Sequence, residues 1–306
     1  MSENLAASIT KAASKQTYYT VRYLVDRDRV DDAYRAYGYF RWVDDIVDAD
    51  SDSPAKRRIF LERQKFLLES CYRGEPPRDV DIQENMLVEL VQHDQEKNSG
   101  LQSYLRNMML VMDFDARRRG RLVSQTELNE YTRWLAIAVT EAMHYFIGHA
   151  DFAPQDETRY LAVSAAHITH MLRDTVDDVQ AGYFNIPREV LDANAIGPRD
   201  VHSQAYCAWV RSRLQLAREY FKEGKGYFAH IQNLRHRLAG IAYISRFEWL
   251  LDTIEREDYS LRPQYNERKS LGTGLRMSWL TLSSLVRMTG GGVSSQTVTA
   301  RQLGKP

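Results

Sequence analysis

The chain has 306 residues, with 41 Lys+Arg against 41 Asp+Glu, so its formal net charge is zero and a general electrostatic grip on nucleic acid is not expected. Hydrophobic residues make up 43% and charged residues 27%, the balance of a folded globular chain and not of a disordered one. Two cysteines, Cys71 and Cys207, supply neither a disulfide framework nor a zinc site and suit a reduced, cytoplasmic setting.

The opening segment, MSENLAASITKAASKQ, carries an early Glu and no apolar stretch, so it does not read as a signal peptide. From there nearly every segment repeats its apolar residues with a helical period. The pattern predicts helices over about residues 3–24, 29–49, 54–73, 82–96, 101–119, 126–150, 157–181, 199–225, 229–257 and 267–287. Arg-Gly-Glu-Pro-Pro at 73–77, Asn-Ser-Gly at 98–100, Ala-Pro-Gln at 153–155 and Gly-Pro at 197–198 punctuate them. Thr126 followed by Leu-Asn-Glu resembles a shifted capping box for the sixth helix. With only 16 Gly and 8 Pro the composition leans all-α. The 18 Tyr, 10 Phe and 5 Trp suit a large core or a pocket that tolerates something electron-poor. The most apolar stretch, 134–148, is broken by Thr140, Glu141 and His144, so no transmembrane span is expected. Membrane contact is at most peripheral, through the basic run Arg117 to Arg121. The tail from Thr289 is rich in Gly, Ser and Thr and reads as disordered, which leaves residues 1–288 as one all-α domain.

Two acidic clusters carry the chemistry. In the first, spacings of three and four put Tyr37, Arg41, Asp44 and Asp48 on one helical stripe, with Asp45 beside it and apolar residues around it. In the second, His167, His170, Asp174 and Asp178 form a stripe that ends in Gly182-Tyr-Phe-Asn-Ile-Pro187. Like charges one turn apart destabilise a helix, so such stripes call for a cation. Carboxylates without thiolates suit Mg²⁺, which binds through one or two carboxylates plus substrate phosphates. Arg41 and Arg173 sit at equivalent places and can take phosphate oxygens bidentately. The metals would let an allylic C–O bond ionise, and aromatic faces tolerate the cation at about 0.5–2 kcal/mol per ring. The bland alternative is that each Asp pair is solvated surface and that His167 and His170 are satisfied core histidines. Glu141-x-x-His144 lacks the second Glu-x-x-His that a di-iron site needs.

At these residues the chain resembles the squalene/phytoene synthase family of all-α isoprenoid enzymes. Asp44-Asp45-Ile-Val-Asp48, with Arg41 three residues before it, resembles the family's first Asp-rich motif. Leu172-Arg173-Asp174-Thr-Val-Asp177-Asp178 resembles the second. Ser14-Lys15-Gln16-Thr17-Tyr18-Tyr19 resembles the N-terminal diphosphate-contacting segment. Met112-Asp-Phe-Asp115 and Leu128-Asn-Glu-Tyr131 resemble the middle segment. The resemblance implies an isoprenoid-synthase-type helical bundle with a central cavity flanked by two Asp-rich helices. It implies Mg²⁺, or Mn²⁺ in its place, on Asp44, Asp45, Asp48, Asp174 and Asp178, and an allylic diphosphate on Lys15, Thr17, Arg41 and Arg173. Tyr18, Tyr37, Tyr131, Ile137, Thr140 and Phe247 would line the pocket.

The departures shape the functional expectation. His167 and His170 stand where the family has Gln and Asn, and Tyr183 stands where it has Arg. A later family Arg falls on Gln264, a family Tyr falls on Phe247, and two family glycines are replaced around Ile137 and Thr140. A donor site is intact while a second diphosphate site lacks cations. The leading expectation is transfer of one short prenyl group to an uncharged aromatic acceptor, as in the family's carbazole-prenylating branch, with His167 and His170 as proton acceptors. The alternatives are head-to-head condensation of two prenyl diphosphates and a non-catalytic assembly protein on the same fold.

Overall fold

A computed structural model describes residues 2–49 and 53–265, with the side chains of residues 2–4 outside the description. The expected tenth helix at 267–287 and the tail from 289 fall outside the described residues. Among the described residues the chain is all helix and connection. The elements are α1 (Ser2–Ala13), α2 (Lys15–Leu24), α3 (Val30–Asp48), α4 (Pro54–Tyr72), α5 (Glu84–His93), α6 (Gly100–Arg118), α7 (Gln125–Phe146), α8 (Leu161–Ala181), α9 (Arg188–Asn194), α10 (Gln204–His230) and α11 (Leu234–Arg256). None of these helices is long and apolar enough to cross a membrane.

The elements follow the periodicity with three corrections. The first expected helix is two, because Ser14 leaves helical geometry and its hydroxyl caps α2 by accepting from the Thr17 N–H at 3.2 Å. The capping box of α7 is built on Ser124, not Thr126: Ser124 accepts from the Glu127 N–H and the Glu127 carboxylate takes the Ser124 N–H. The seven-residue α9 escapes the periodicity because it is too short to show a stripe.

Two apolar cores hold the bundle. One gathers residues of α3, α4, α5, α6 and α7, such as Tyr39, Leu61, Leu87 and Leu105. The other gathers α8, α10 and α11 around Leu172, Leu214, Phe221 and Ile244. Met143 of α7 packs against both. The approach of α10 to α8 needs Gly224, since a Cβ there would meet Ala162 Cβ at 2.7 Å. Helix α8 stops at Gly182, whose φ of +88° is the left-handed cap that frees the chain to turn into Tyr183. That turn is fixed by the Gly120 N–H donating to the Gly182 carbonyl at 2.7 Å, so the ends of α6 and α8 lie together.

Candidate active site

The C-terminal halves of α3, α6 and α8 each carry carboxylates, and the fold brings them to one end of the bundle. Asp44 and Asp48 come from α3, Asp115 from α6, and Asp174 and Asp178 from α8. Burial and the neighbouring Asp48 push the Asp44 carboxyl up to about 6, with Asp115 adding to the rise. The Asp178 carboxyl is pushed up to about 6 by burial, with Asp174 and Asp115 contributing repulsion. Asp48 is raised by burial and by Asp115. Asp115 therefore couples the two Asp-rich motifs electrostatically, although it was not among the site residues expected from sequence.

Arg118 holds this cluster together from inside. Its Nε donates to Asp115 at 2.7 Å and its Nη1 to the Asn185 side-chain carbonyl at 2.9 Å. Asn185 in turn donates to Asp178 at 2.6 Å. The Tyr131 hydroxyl donates to the other oxygen of Asp115 at 2.8 Å. The Arg118 guanidinium lies 5.1 Å from the Tyr131 ring and 5.0 Å from the Tyr183 ring. Tyr183 reaches back across the site, its hydroxyl 3.5 Å from Asp48. The position that lacks the family's Arg is thus flanked by two arginines, Arg118 at the end of α6 and Arg119 just after it, which lies 5.9 Å from the Tyr183 ring.

Both arginines expected to take phosphate sit on carboxylates of their own motifs. Arg41 donates to Asp44 at 3.1 Å and also to Asp45. Arg173 grips Asp174 bidentately, both bonds at 2.6 Å. All of these groups are part-exposed, so the pairs are weak and exchangeable. Among the described residues no three His, Cys, Asp or Glu side chains converge tightly enough to ligate an ion alone. The donor set still fits a hard divalent ion, because carboxylates that raise one another's proton affinity gain most from a shared cation. Mg²⁺ is ordinarily completed by water and substrate phosphates.

An apolar cavity of about 460 Å³ opens beside Arg41 and Asp44, within the usual range of about 300–1,000 Å³ for ligand pockets. Its walls come from α2, α3, α6 and α7, and Thr17 and Tyr37 are among them. Helix α7 contributes Leu135, Val139, Ala142 and Phe146. This corrects the expectation for Ile137 and Thr140, which are absent from that wall. At about 100° per residue, Ile137 lies about 200° around the helix from Leu135. The Thr140 hydroxyl faces the other way and donates to the Arg159 carbonyl at 3.4 Å.

The remaining expected residues are dispersed. Lys15 is exposed at the start of α2 and lines no part of the cavity. Tyr18 stacks on Tyr34 at 5.3 Å, outside the wall. Tyr131 belongs to the acidic cluster through its hydroxyl. Phe247, buried on α11, meets the His170 ring edge-on at 4.6 Å. His167 is only 6% exposed and packs edge-on against Tyr131 at 4.8 Å. Burial, with Arg118 and Arg213 nearby, pushes its pKa down to about 3. Burial therefore keeps the His167 imidazole neutral in this state. Glu141 and His144 are structural: Glu141 accepts from the Tyr160 hydroxyl at 2.7 Å, and His144 Nε2 lies 2.8 Å from the Tyr227 hydroxyl.

The family model for squalene/phytoene synthases matches residues 10–273. The chain belongs to that family. It is a prenyltransferase, and its family acts on isoprenoid diphosphates, generally with divalent ions. Among curated relatives, a presqualene diphosphate synthase of Zymomonas mobilis is 27% identical over 238 residues, covering 77% of this chain and 76% of the relative. A presqualene diphosphate synthase of Rhodopseudomonas palustris is 26% identical over 186 residues, or 60% of this chain. The match spans 62% of that relative's length. The fold is that of the squalene synthase HpnC from Alicyclobacillus acidocaldarius, with a TM-score of 0.68 at 15% identity over 85% of this chain and 95% of that one. A dehydrosqualene synthase solved with a ligand gives a TM-score of 0.68 at 18% identity, over 94% and 97%.

Proposed function

We propose that the protein joins two allylic prenyl diphosphates head to head and stops at a product that retains one diphosphate, as presqualene diphosphate does. The observation that carries this reading is the electrostatic coupling of Asp44, Asp48, Asp115, Asp174 and Asp178 at one end of the bundle, with Asp44 also on the wall of an apolar cavity and arginines beside Tyr183. The sequence alone argued that cations for a second diphosphate were missing. Arg118 and Arg119 beside Tyr183 return positive charge to that end of the site. The names of the two curated relatives favour the same reaction over transfer to an aromatic ring.

Asp44, Asp48, Asp174 and Asp178 would hold Mg²⁺, which supplies charge neutralisation for a departing diphosphate. The chain's own groups do the rest. With the carboxylates engaged by cations, Arg41 and Arg173, now on Asp44, Asp45 and Asp174, would be available to hold diphosphate oxygens. The cavity excludes water from the prenyl chain, and Phe40, Tyr37 and Tyr104 on its wall present aromatic faces to positive charge. One C–O bond breaks and its electron pair leaves with the diphosphate. The double bond of the second substrate supplies the pair for the new C–C bond, and one proton is lost.

Transfer to an aromatic acceptor is the second reading, favoured by one feature: His170 lies half-buried on the same stripe as Asp174, where the family keeps an amide. One assay separates the two. The protein is incubated with allylic diphosphates and Mg²⁺ and no other acceptor, and diphosphate and lipid products are quantified. One diphosphate released per two substrates consumed, with a diphosphate-bearing coupled product, supports the proposal. Turnover that starts only when an aromatic compound is added overturns it. Asp44→Ala combined with Asp174→Ala abolishes release if the carboxylate cluster is the ionising site.

A further inference from the structure

We propose that a groove formed by α4 and the ends of α6 and α8 is a metal-independent binding site for a phosphate-bearing anion, built around the buried Arg57. The groove encloses about 620 Å³ and is lined by Arg57, Arg58, Arg117 and Arg119 with a single carboxylate, Asp113. Asp113 is already neutralised, by Lys65 at 2.7 Å and Arg117 at 2.6 Å.

Arg57 is the decisive residue. It is 8% exposed, and its buried Nε–H has no acceptor. Among the described residues no carboxylate lies within 4.0 Å of Arg57 or of the exposed Arg58 beside it. A guanidinium cannot shed its proton to escape burial. A buried guanidinium N–H without an acceptor is costly, so the arrangement is one that an anion completes. The rest of the rim offers donors and few acceptors. The Gly182 carbonyl is taken by the Gly120 N–H, and the Ala181 carbonyl accepts from Arg119 Nε at 3.2 Å. The first turn of α4, with Pro54 and Ala55 on the groove wall, adds the positive end of a 19-residue helix.

Several guanidinium forks around one space match a phosphate, whose tetrahedrally arranged oxygens can accept from more than one of them at once. The site is set apart from the catalytic carboxylates by its sign. Those repel a diphosphate until cations arrive, whereas this groove attracts one unaided. It stands whether or not the proposed reaction is correct.

The test is titration calorimetry with inorganic pyrophosphate at low salt in excess EDTA, which silences the carboxylate cluster. One saturable site is expected. Arg58→Gln should weaken it about tenfold, the scale of one charged hydrogen bond, with the helical circular dichroism unchanged. Arg57→Gln should abolish it, but replacement of a buried arginine endangers the fold, so Arg58→Gln carries the test. Asp44→Asn with Asp174→Asn should leave it unaltered. A parallel arm sediments the protein with phosphatidylcholine vesicles with and without phosphatidylglycerol. Pyrophosphate binding lost in Arg58→Gln assigns the site to a free phosphate ligand. Vesicle binding lost in Arg58→Gln without pyrophosphate binding assigns the same site to a lipid headgroup. Binding to neither, binding indifferent to Arg58→Gln, or binding that requires Mg²⁺ overturns the proposal.

Discussion

Replacing Arg118 by Met keeps the length of the side chain and removes the only charge buried among Asp44, Asp48, Asp115 and Asp178 that the described hydrogen bonds tie to Asp115. Its side chain is 9% exposed and that of Asp115 is 21% exposed. The variant strands Asp115 with one remaining donor, the Tyr131 hydroxyl, and leaves the Asn185 carbonyl without its 2.9 Å partner. Breaking a buried pair from one side costs about 3–5 kcal/mol. The partial access of Asp115 to water puts the expected loss near the lower end, about 3 kcal/mol. For a chain of this size about 1 kcal/mol corresponds to about 2–4 °C, so Tm should fall by about 6–12 °C in a metal-free thermal scan. Adding Asp115→Asn to Arg118→Met should recover part of the loss, because the stranded charge is gone, giving a favourable coupling in a double-mutant cycle. Mg²⁺ should stabilise Arg118→Met more than the parent, since it substitutes for the missing cation. A Tm within 2 °C of the parent, or double-variant losses that simply add, would refute Arg118 as the internal counter-ion.

Two further outcomes follow from the same geometry. Val139→Trp projects bulk into the 460 Å³ cavity from its α7 wall and should raise KM for long prenyl diphosphates while sparing short ones, read from steady-state kinetics with donors of increasing length; Ile137→Trp, off that wall, should not shift chain-length preference. Acid stability should depend on His236, which is 2% exposed and whose pKa burial pushes down to about 4 from a usual value near 6.5. Below pH 6.5 the unfolded chain takes up a proton that the native protein refuses, so this contribution is complete above 6.5 and is lost as pH falls toward 4. The raised carboxyls of Asp44 and Asp178 act in the opposite sense below about pH 6, so the His236 effect is isolated by comparing variants. His236→Leu should flatten the fall in denaturation free energy by up to about 1.4 kcal/mol per pH unit between 6.5 and 4; an unchanged slope rules the buried neutral imidazole out.

The helices were legible because their stripes are long, and the two Asp motifs were legible because each lies within one helix. What joins them was not. Asp115 and Arg118 are three apart on α6, a spacing that in one dimension reads as an ordinary surface ion pair. Only the fold shows that the end of α6 is held against the end of α8 by the Gly120–Gly182 hydrogen bond, which buries that pair between the motifs. The cavity wall failed for a related reason. A substitution pattern inherited from the family identifies positions but not the rotation of α7, and a shift of one or two residues moved the inferred wall from Leu135 and Val139 to Ile137 and Thr140. His167 shared a stripe with Asp174, yet a stripe of seven residues spans two turns, and by then Tyr131 of α7 covers it.

The pairing of Arg41 with Asp44 and Asp45, and of Arg173 with Asp174, changes what those arginines mean for catalysis. A guanidinium already on a carboxylate does not draw diphosphate strongly, and a carboxylate already on a guanidinium does not draw Mg²⁺ strongly. Metal and diphosphate arriving together would satisfy both at once, because the cation would take the carboxylates and the anion the arginines. The exchange costs little, since these pairs are solvent-exposed and worth about 0–1 kcal/mol each. Arg118 stays outside the exchange: it is buried, bonded on two sides and stacked on two rings, so it anchors Asp115 while the outer arginines change partners. The division predicts different kinetic signatures. Arg41→Gln should weaken diphosphate binding and make Mg²⁺ bind more tightly to the free enzyme, because Asp44 and Asp45 lose their competitor. Magnesium titration of that variant without substrate reads the effect directly, and weaker Mg²⁺ binding would mean that Arg41 supports the metal site instead of guarding it.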